Sequence, residues 1–382
     1  FDNGIFLSTN NGQSWTQTVL NNHRIYSIAI SGNKIFAGCG YNQGVYLSTN
    51  NGQSWTQTAL NNQSVSSLAI SGNSSNKSEQ ALYAGTWDNG IFFSSNNGQS
   101  WSQKGIPNSA INSLIASNNI PNESGQVIYA GAGSYNKPRG IFSSTDSGLN
   151  WSQMGFNNKS VTVTAIAISE NSSYKSGQVI FAGAEEYATY LGVYFSTNNG
   201  QSWTETALIN QSVLSLAVSE NIPGKLGQII FAGIDWNGVY FSTNYGQSWI
   251  HTPIDSVSCY SFAISGNNPD KSGQVIFAGT ASNLMPSGVH LSTNNGQNWS
   301  FILQRSVRAL AISENSSYKS GQVIFAGTGS PYTPYGIYLS TDNGQNWTQT
   351  ALNNKHIYSL AISGNNIFAS TYDSGIYLST NN

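Results

Sequence analysis

An all-β fold is what this sequence predicts, and three observations carry the expectation. The pattern Ser-x-Asn/Asp-x-Gly-x-x-Trp ends at Trp15, Trp55, Trp101, Trp151, Trp203, Trp249, Trp299 and Trp347, and a ninth copy begins at Ser379. Between these tryptophans, short apolar runs alternate with Gly, Asn and Ser, which is a strand and hairpin signal. No stretch places apolar residues at i, i+3, i+4 and i+7 over three turns, so a helix has no buried face to offer.

The elements of one repeat follow in order after Trp203. "SVLSLAVS" (212–219) alternates Val213, Leu216 and Val218 with small residues and reads as a first strand. "QIIFAG" (228–233) is a short β-branched and aromatic run, and "GVYFST" (238–243) is a third strand that leads into the repeated motif. "QSWIHT" (247–252) returns as the fourth. Four antiparallel strands recurring every ~47 residues predict a β-propeller, in which each blade covers the exposed faces of its neighbours.

The expected domain is one propeller over residues 1–382. Seven four-strand units run from about residue 25 to about residue 350. They are flanked by a third and fourth strand at the N-terminus and by a first, second and third at the C-terminus. Joining the flanks predicts eight four-stranded antiparallel blades with terminal strand closure, in which the third strand occurs twice, as "FDNGIFLSTNN" (1–11) and "YDSGIYLSTNN" (372–382). Seven blades is the alternative. Pairing of the spare strand with a second molecule is a third option, because an unpaired edge invites addition.

Each part of the repeated motif has a folding task. Its Gly tolerates the left-handed dihedrals of a tight hairpin. The Asn or Asp can accept bonds from turn amides, and the Trp supplies a large apolar block suited to the gap between blades. On these residues the chain resembles the Asp-box, or BNR-repeat, family of propellers, which includes sialidase-like, sortilin-like and Ycf48-like members. The resemblance implies that the box is a structural hairpin at the blade periphery. Six boxes carry Asn (Asn10, Asn50, Asn96, Asn198, Asn244, Asn294), and only Asp146 and Asp342 keep the acid. An amide accepts the same turn bonds, so the substitution argues against acid chemistry or calcium at the boxes.

Composition narrows the function classes. Only 8% of the chain is charged and the net charge is −2, which provides no field for nucleic acid. No run of 18 apolar residues is present, so no membrane span is expected. Cys39 and Cys259 fall in different repeats and read as structural thiols. His23 and His356 fall in matching loops but lack a third ligand, and no metal or cofactor is expected. The chain begins at Phe1 and stops at Asn382, both inside repeats, which is the expectation for a portion of a longer product.

Function is therefore sought where the repeat breaks. The loops joining second to third strands read "CGYNQG", "TWDNG", "AGSYNKPRG", "AEEYATYLG", "IDWNG", "TASNLMPSG", "TGSPYTPYG" and "TYDSG". On one propeller face they would gather Tyr41, Trp87, Asp88, Tyr135, Arg139, Glu186, Tyr187, Tyr190, Asp235, Trp236, Tyr332, Tyr335, Tyr372 and Asp373, together with Glu185. Aromatic rings interleaved with amides suit stacking on sugars or gripping an extended peptide. The expectation is a secreted or cell-surface binding or adhesion module, with a glycan or a protein as partner.

Two alternatives stay open. One is a glycoside hydrolase, either sialidase-like or polysaccharide-cleaving, and the other is a structural unit of an extracellular assembly. The four arginines, Arg24, Arg139, Arg305 and Arg308, all fall on or near the loop face, but the Arg-Ile-Pro stretch of sialidases is missing. Adjacent Glu185 and Glu186 would point to opposite sides of an extended segment and make a poor carboxylate pair. The reading without catalysis is preferred. On the opposite face, sequons at Asn73, Asn76, Asn122, Asn171 and Asn315 suit an exported protein.

Overall fold

The computed structural model describes residues 5–8, 16–18, 20, 23–71, 81–117, 127–134, 137–146, 148–154, 161–169, 179–186, 189–219, 228–265, 274–313, 323–330, 333–363, 366–371 and 375–379. Among them every regular element is a strand. Among the described residues no helix is long and apolar enough to cross a membrane. The five sequons lie outside the described residues.

Seven sheets have four antiparallel strands in the order first, second, third, fourth. We number these blades 1 to 7, over residues 25–57, 65–105, 111–153, 162–209, 213–251, 258–303 and 307–349. In blade 1 the strands are Ile25–Ser31, Lys34–Cys39, Gly44–Ser48 and Thr56–Gln57. First strands of successive blades are neighbours, so they line the inside of the ring.

The expected eight four-stranded antiparallel blades are therefore corrected to seven. The remaining sheet has five strands, ordered Thr16–Thr18, Ile5–Ser8, Gly375–Ser379, Asn366–Thr371, Ile357–Ser363, and it lies between blades 7 and 1. Its two copies of the third strand pair in parallel, with Phe6 opposite Tyr377, Leu7 opposite Leu378 and Ser8 opposite Ser379. The reason is directional. Both copies descend from the same loop face, so the N-terminal one can dock on its C-terminal counterpart only in parallel. The spare strand offered for a second molecule is thereby paired within the chain.

The core lies between sheets. The aromatic residue of each second strand, namely Phe36, Tyr83, Tyr129, Phe181, Phe231, Phe277, Phe325 and Phe368, is among the largest fully buried side chains. The box tryptophans were expected to fill these gaps; Trp203 is buried, whereas Trp55, Trp101, Trp151, Trp249, Trp299 and Trp347 are half-buried, and Trp15 lies outside the described residues. They seal the rim against the preceding blade. Trp101 Nε1 donates to Thr58 Oγ1, just past the end of blade 1, and Trp249 Nε1 to Thr206 Oγ1 of blade 4, both at 3.2 Å. Trp299 meets Phe231 of blade 5 edge-on at 6.4 Å.

The motif turn is built as its residue types require. Gly52 N donates to Ser48 Oγ at 2.8 Å, Ser54 N donates to Asn50 Oδ1 at 2.9 Å, and Gly52 has φ +82°. Except in blade 6, where Asn294 is followed by Asn298, the fourth residue after the Asn or Asp completes a complementary pair in blades 1 to 7. Asn50 Nδ2 donates to Ser54 Oγ at 2.9 Å, whereas Asp342, with no donor, accepts from Asn346 Nδ2 at 2.7 Å. Asp342→Asn should thus place an amide N–H₂ against another and lower stability by ~1 kcal/mol or less, and Asn346→Ser in the same chain should restore it. Thermal unfolding of the single and double variants checks this.

Backbone N–H donation from Asn150 and Asn346, first among several hydrogen bonds, holds the Asp146 and Asp342 carboxyls below the ordinary carboxylate value. A depressed folded value stabilises above the unfolded pKa of about 4, and that contribution is lost as pH falls through the folded value. Replacing both by Asn should flatten the acid limb of stability below pH ~4, as followed by Tm against pH.

Candidate functional site

The candidate face is formed where second-to-third loops meet fourth-to-first connections. A glycine stands just before or within the third strand in blades 1, 2, 4, 5, 6 and 7 (Gly44, Gly90, Gly192, Gly238, Gly288, Gly336), and an added Cβ there would run into the carbonyl oxygen of Leu60, Ile106, Leu208, Ile254, Leu303 or Leu352. The same carbonyls accept hydrogen bonds, as in Val45 N to Leu60 O at 2.8 Å and Ile337 N to Leu352 O at 2.9 Å. The Leu or Ile side chains, buried except for the half-buried Leu303, anchor the connection, so each loop stands on a rigid base.

Two loop tips hold bulky aromatics in left-handed backbone. Tyr41 has φ +52° and is 67% exposed, and Trp236 has φ +57° and is 53% exposed. Such dihedrals are uncommon for a large side chain and cost free energy unless something over-determines them. Here the next blade supplies the restraint. Asn42 N donates to Ser64 Oγ at 2.9 Å, Trp236 N donates to Ser258 Oγ at 3.1 Å, and Ser258 Oγ donates to Asp235. Arg24 also lies over the Tyr41 ring, at 4.9 Å.

The other expected residues sort as follows. Trp87 and Tyr190 are exposed on the face, as are Asp88 and Arg139. Asp235 is half-buried and engaged by Ser258, so it serves the loop. Tyr335 lies under Arg305 at 5.0 Å, and Arg305 Nε donates to Tyr338 Oη at 3.2 Å. Glu186 ends the strand Val179–Glu186 opposite Thr189. Tyr135, Tyr187, Tyr332, Tyr372 and Asp373 lie outside the described residues. Glu185 is half-buried opposite Tyr190, and burial pushes its carboxyl up.

The histidines and cysteines take structural places. His23 Nε2 lies 2.9 Å from Tyr46 Oη, while His356 is buried beside Ile357, one place nearer the first strand, so their loops match but their positions do not. His290 is packed against Phe301 at 4.8 Å, and burial lowers its pKa to about 4. Both thiols are free and buried, which pushes their pKa values up, Cys259 to about 12.

Sequence reasoning missed two features. Leu284 and Met285, in the blade 6 loop, are 82% and 50% exposed. Every first strand also carries a bulge one or two residues in, at Tyr26, Ser66, Asn112, Thr164, Leu214, Tyr260, Arg308 and Tyr358. This position lies at the loop-face end of the innermost strand, where it rims the channel. The signal was present: within a repeated "V-x-S-L-A-I" run, this is the residue that refuses to repeat.

Apart from Leu214, which lies between them, the bulge residues form two groups. Ser66, Asn112 and Thr164 staple blades together. The Asn112 amide, for instance, donates to Gly133 O at 3.0 Å and to Val163 O of the next blade at 3.2 Å, and Thr164 Oγ1 donates to Gly183 O at 3.1 Å and Val213 O at 2.9 Å. In the other group, Tyr26 meets Trp87 edge-on at 5.8 Å and Arg308 lies over Tyr260 at 4.5 Å. One side of the channel mouth is thus small and stapled, and the other is aromatic and cationic.

With this geometry in hand, the chain can be placed among known proteins. The family model described as DUF6242 beta propeller domain matches residues 3–220, more than half of the chain. The chain belongs to the DUF6242 β-propeller family. Among solved structures, this DUF6242 propeller is similar to Sqt1 of Saccharomyces cerevisiae, at 12% identity and a TM-score of 0.65 over 100% of both chains. It is also similar to the computationally designed Ika8 protein, at 14% identity and a TM-score of 0.63, covering 97% of this chain and 98% of the other. YCF48 from Cyanidioschyzon merolae matches at 13% identity and a TM-score of 0.52, covering 94% and 95%. At such identities the likeness is one of fold. No curated protein sequence matches the chain significantly.

Proposed function

We propose that this propeller is a non-catalytic binding module that holds carbohydrate on its second-to-third loop face, as a single unit over residues 1–382 of an exported or cell-surface protein. The observation that carries the reading is the pair Tyr41 and Trp236, large exposed rings held at loop tips in a backbone conformation that opposes folding. Strain at an exposed aromatic is retained where the side chain has work outside the fold. Flat rings with amides beside them suit stacking on sugar faces. An extended peptide is the second ligand such a face could take, and a place in an extracellular assembly is compatible with either.

The test separates stability from binding. Trp236→Asn suits the left-handed site better and should raise stability by up to ~1 kcal/mol, while oligosaccharide binding measured by calorimetry falls. A variant that loses stability and keeps binding would remove the reading.

The glycosidase reading has one observation in its favour, the half-buried Glu185 with its raised pKa, which is what a general acid needs. It also needs a second carboxylate across the scissile bond, and Asp235 is engaged by Ser258. If turnover exists, Glu185→Gln should abolish the release of reducing sugar; activity that survives this change would exclude Glu185 as the acid.

A further inference from the structure

The aromatic half of the bulge ring holds a cation without a counterpart. Arg308 is half-buried at the channel mouth, its guanidinium lies 4.5 Å over the Tyr260 ring, and no hydrogen bond or ion pair to it is found among the described residues. The other arginines differ. Arg305 is tied to Tyr338 Oη and the Gln304 carbonyl, and Arg139 is exposed. A guanidinium carries five N–H donors in a planar fork, and with none of them engaged by the protein they face the channel mouth, open to a ligand that supplies acceptors.

We infer that Arg308 receives the carboxylate of an acidic sugar, so that the module binds uronate-containing oligosaccharides; the inference rests on the carbohydrate reading above. The fork fits a planar carboxylate through two parallel hydrogen bonds. A lone cation at this place matches a singly charged group better than a doubly charged phosphate ester. Tyr260 braces the guanidinium from one side, and Tyr358 occupies the next bulge position round the ring and is 41% exposed. Tyr26 and Trp87 follow beyond it, so an oligosaccharide anchored at Arg308 meets successive aromatic faces along the same half of the mouth. The rest of the surface is rich in amides and hydroxyls and poor in charge, which suits a polyol backbone better than an acidic peptide.

The experiment is a calorimetric titration of the intact chain with tetragalacturonate, with the same tetramer after reduction of its carboxyls to alcohols, and with tetraglutamate. The acidic tetramer is expected to bind, the reduced one to bind at least ~10-fold more weakly, and Arg308→Gln to lose that difference while Arg308→Lys keeps part of it. Equal affinity for acidic and reduced tetramers overturns the role of Arg308 and leaves the carbohydrate reading standing. Binding of tetraglutamate in preference to both sugars overturns the sugar assignment. If neither sugar binds, both readings fall. Comparing the two tetramers on the unaltered chain needs no variant to fold.

Discussion

Gly238→Ala is expected to be among the most damaging single substitutions in this chain. The new Cβ would meet the Ile254 carbonyl, which already accepts from Val239 N at 3.2 Å, and φ is +65°. Neither atom can retreat, since Ile254 is buried in the cluster it shares with Phe231 and Val257. A left-handed alanine alone costs about 1–2 kcal/mol and forced overpacking about 1–3 more, so ~3 kcal/mol or more is expected. Gly32→Ala is the internal control: its φ is +58°, but an added Cβ meets nothing within 4 Å, so only the dihedral cost applies. Chemical denaturation of the two variants should separate them; equal losses would mean that the close approach is not what makes this glycine necessary.

Phe231→Ala should cost about 3–5 kcal/mol, the range for a large core truncation that leaves a cavity. Phe231 is fully buried and lies against Phe241 at 6.2 Å, Phe262 at 5.9 Å and Trp299 at 6.4 Å. Its Cε1 would also be 2.6 Å from a Cβ at Gly296, so the box turn of blade 6 packs directly on it. Trp299→Ala removes more atoms but from a half-buried place, and should cost less. Thermal unfolding of both variants decides which residue is the wedge. A larger loss for Trp299 would restore the view that the repeated tryptophan carries the interface.

Most of the fold was legible because its signals are local. Strand period, turn glycines and the spacing of the tryptophans each depend on a few adjacent residues, and the structure realises them in blade after blade. Pairing partners are not local. Nothing within "FDNGIFLSTNN" says that it will lie parallel to its own near-copy, and the count of four-stranded blades turned on that pairing. The Trp was overrated because size is visible in a sequence and depth is not, whereas the Phe or Tyr of each second strand owes its burial to a central place in its sheet. The loop face was found through its failure to repeat. The same test applied within the first strands would have found Tyr26, Tyr260, Arg308 and Tyr358, and it was not legible from composition that Tyr41 and Trp236 sit in left-handed backbone.

The central claim is that the repeated hairpin is scaffold and the non-repeating face is the site. Hydrogen exchange followed by mass spectrometry, with and without a saturating bound oligosaccharide, tests it most directly. New protection should appear in peptides covering residues 39–44, 86–90, 234–238 and 306–309, and none in the hairpins at 48–55, 94–101 and 242–249. Protection of those hairpins, with the loop face unchanged, would contradict the account.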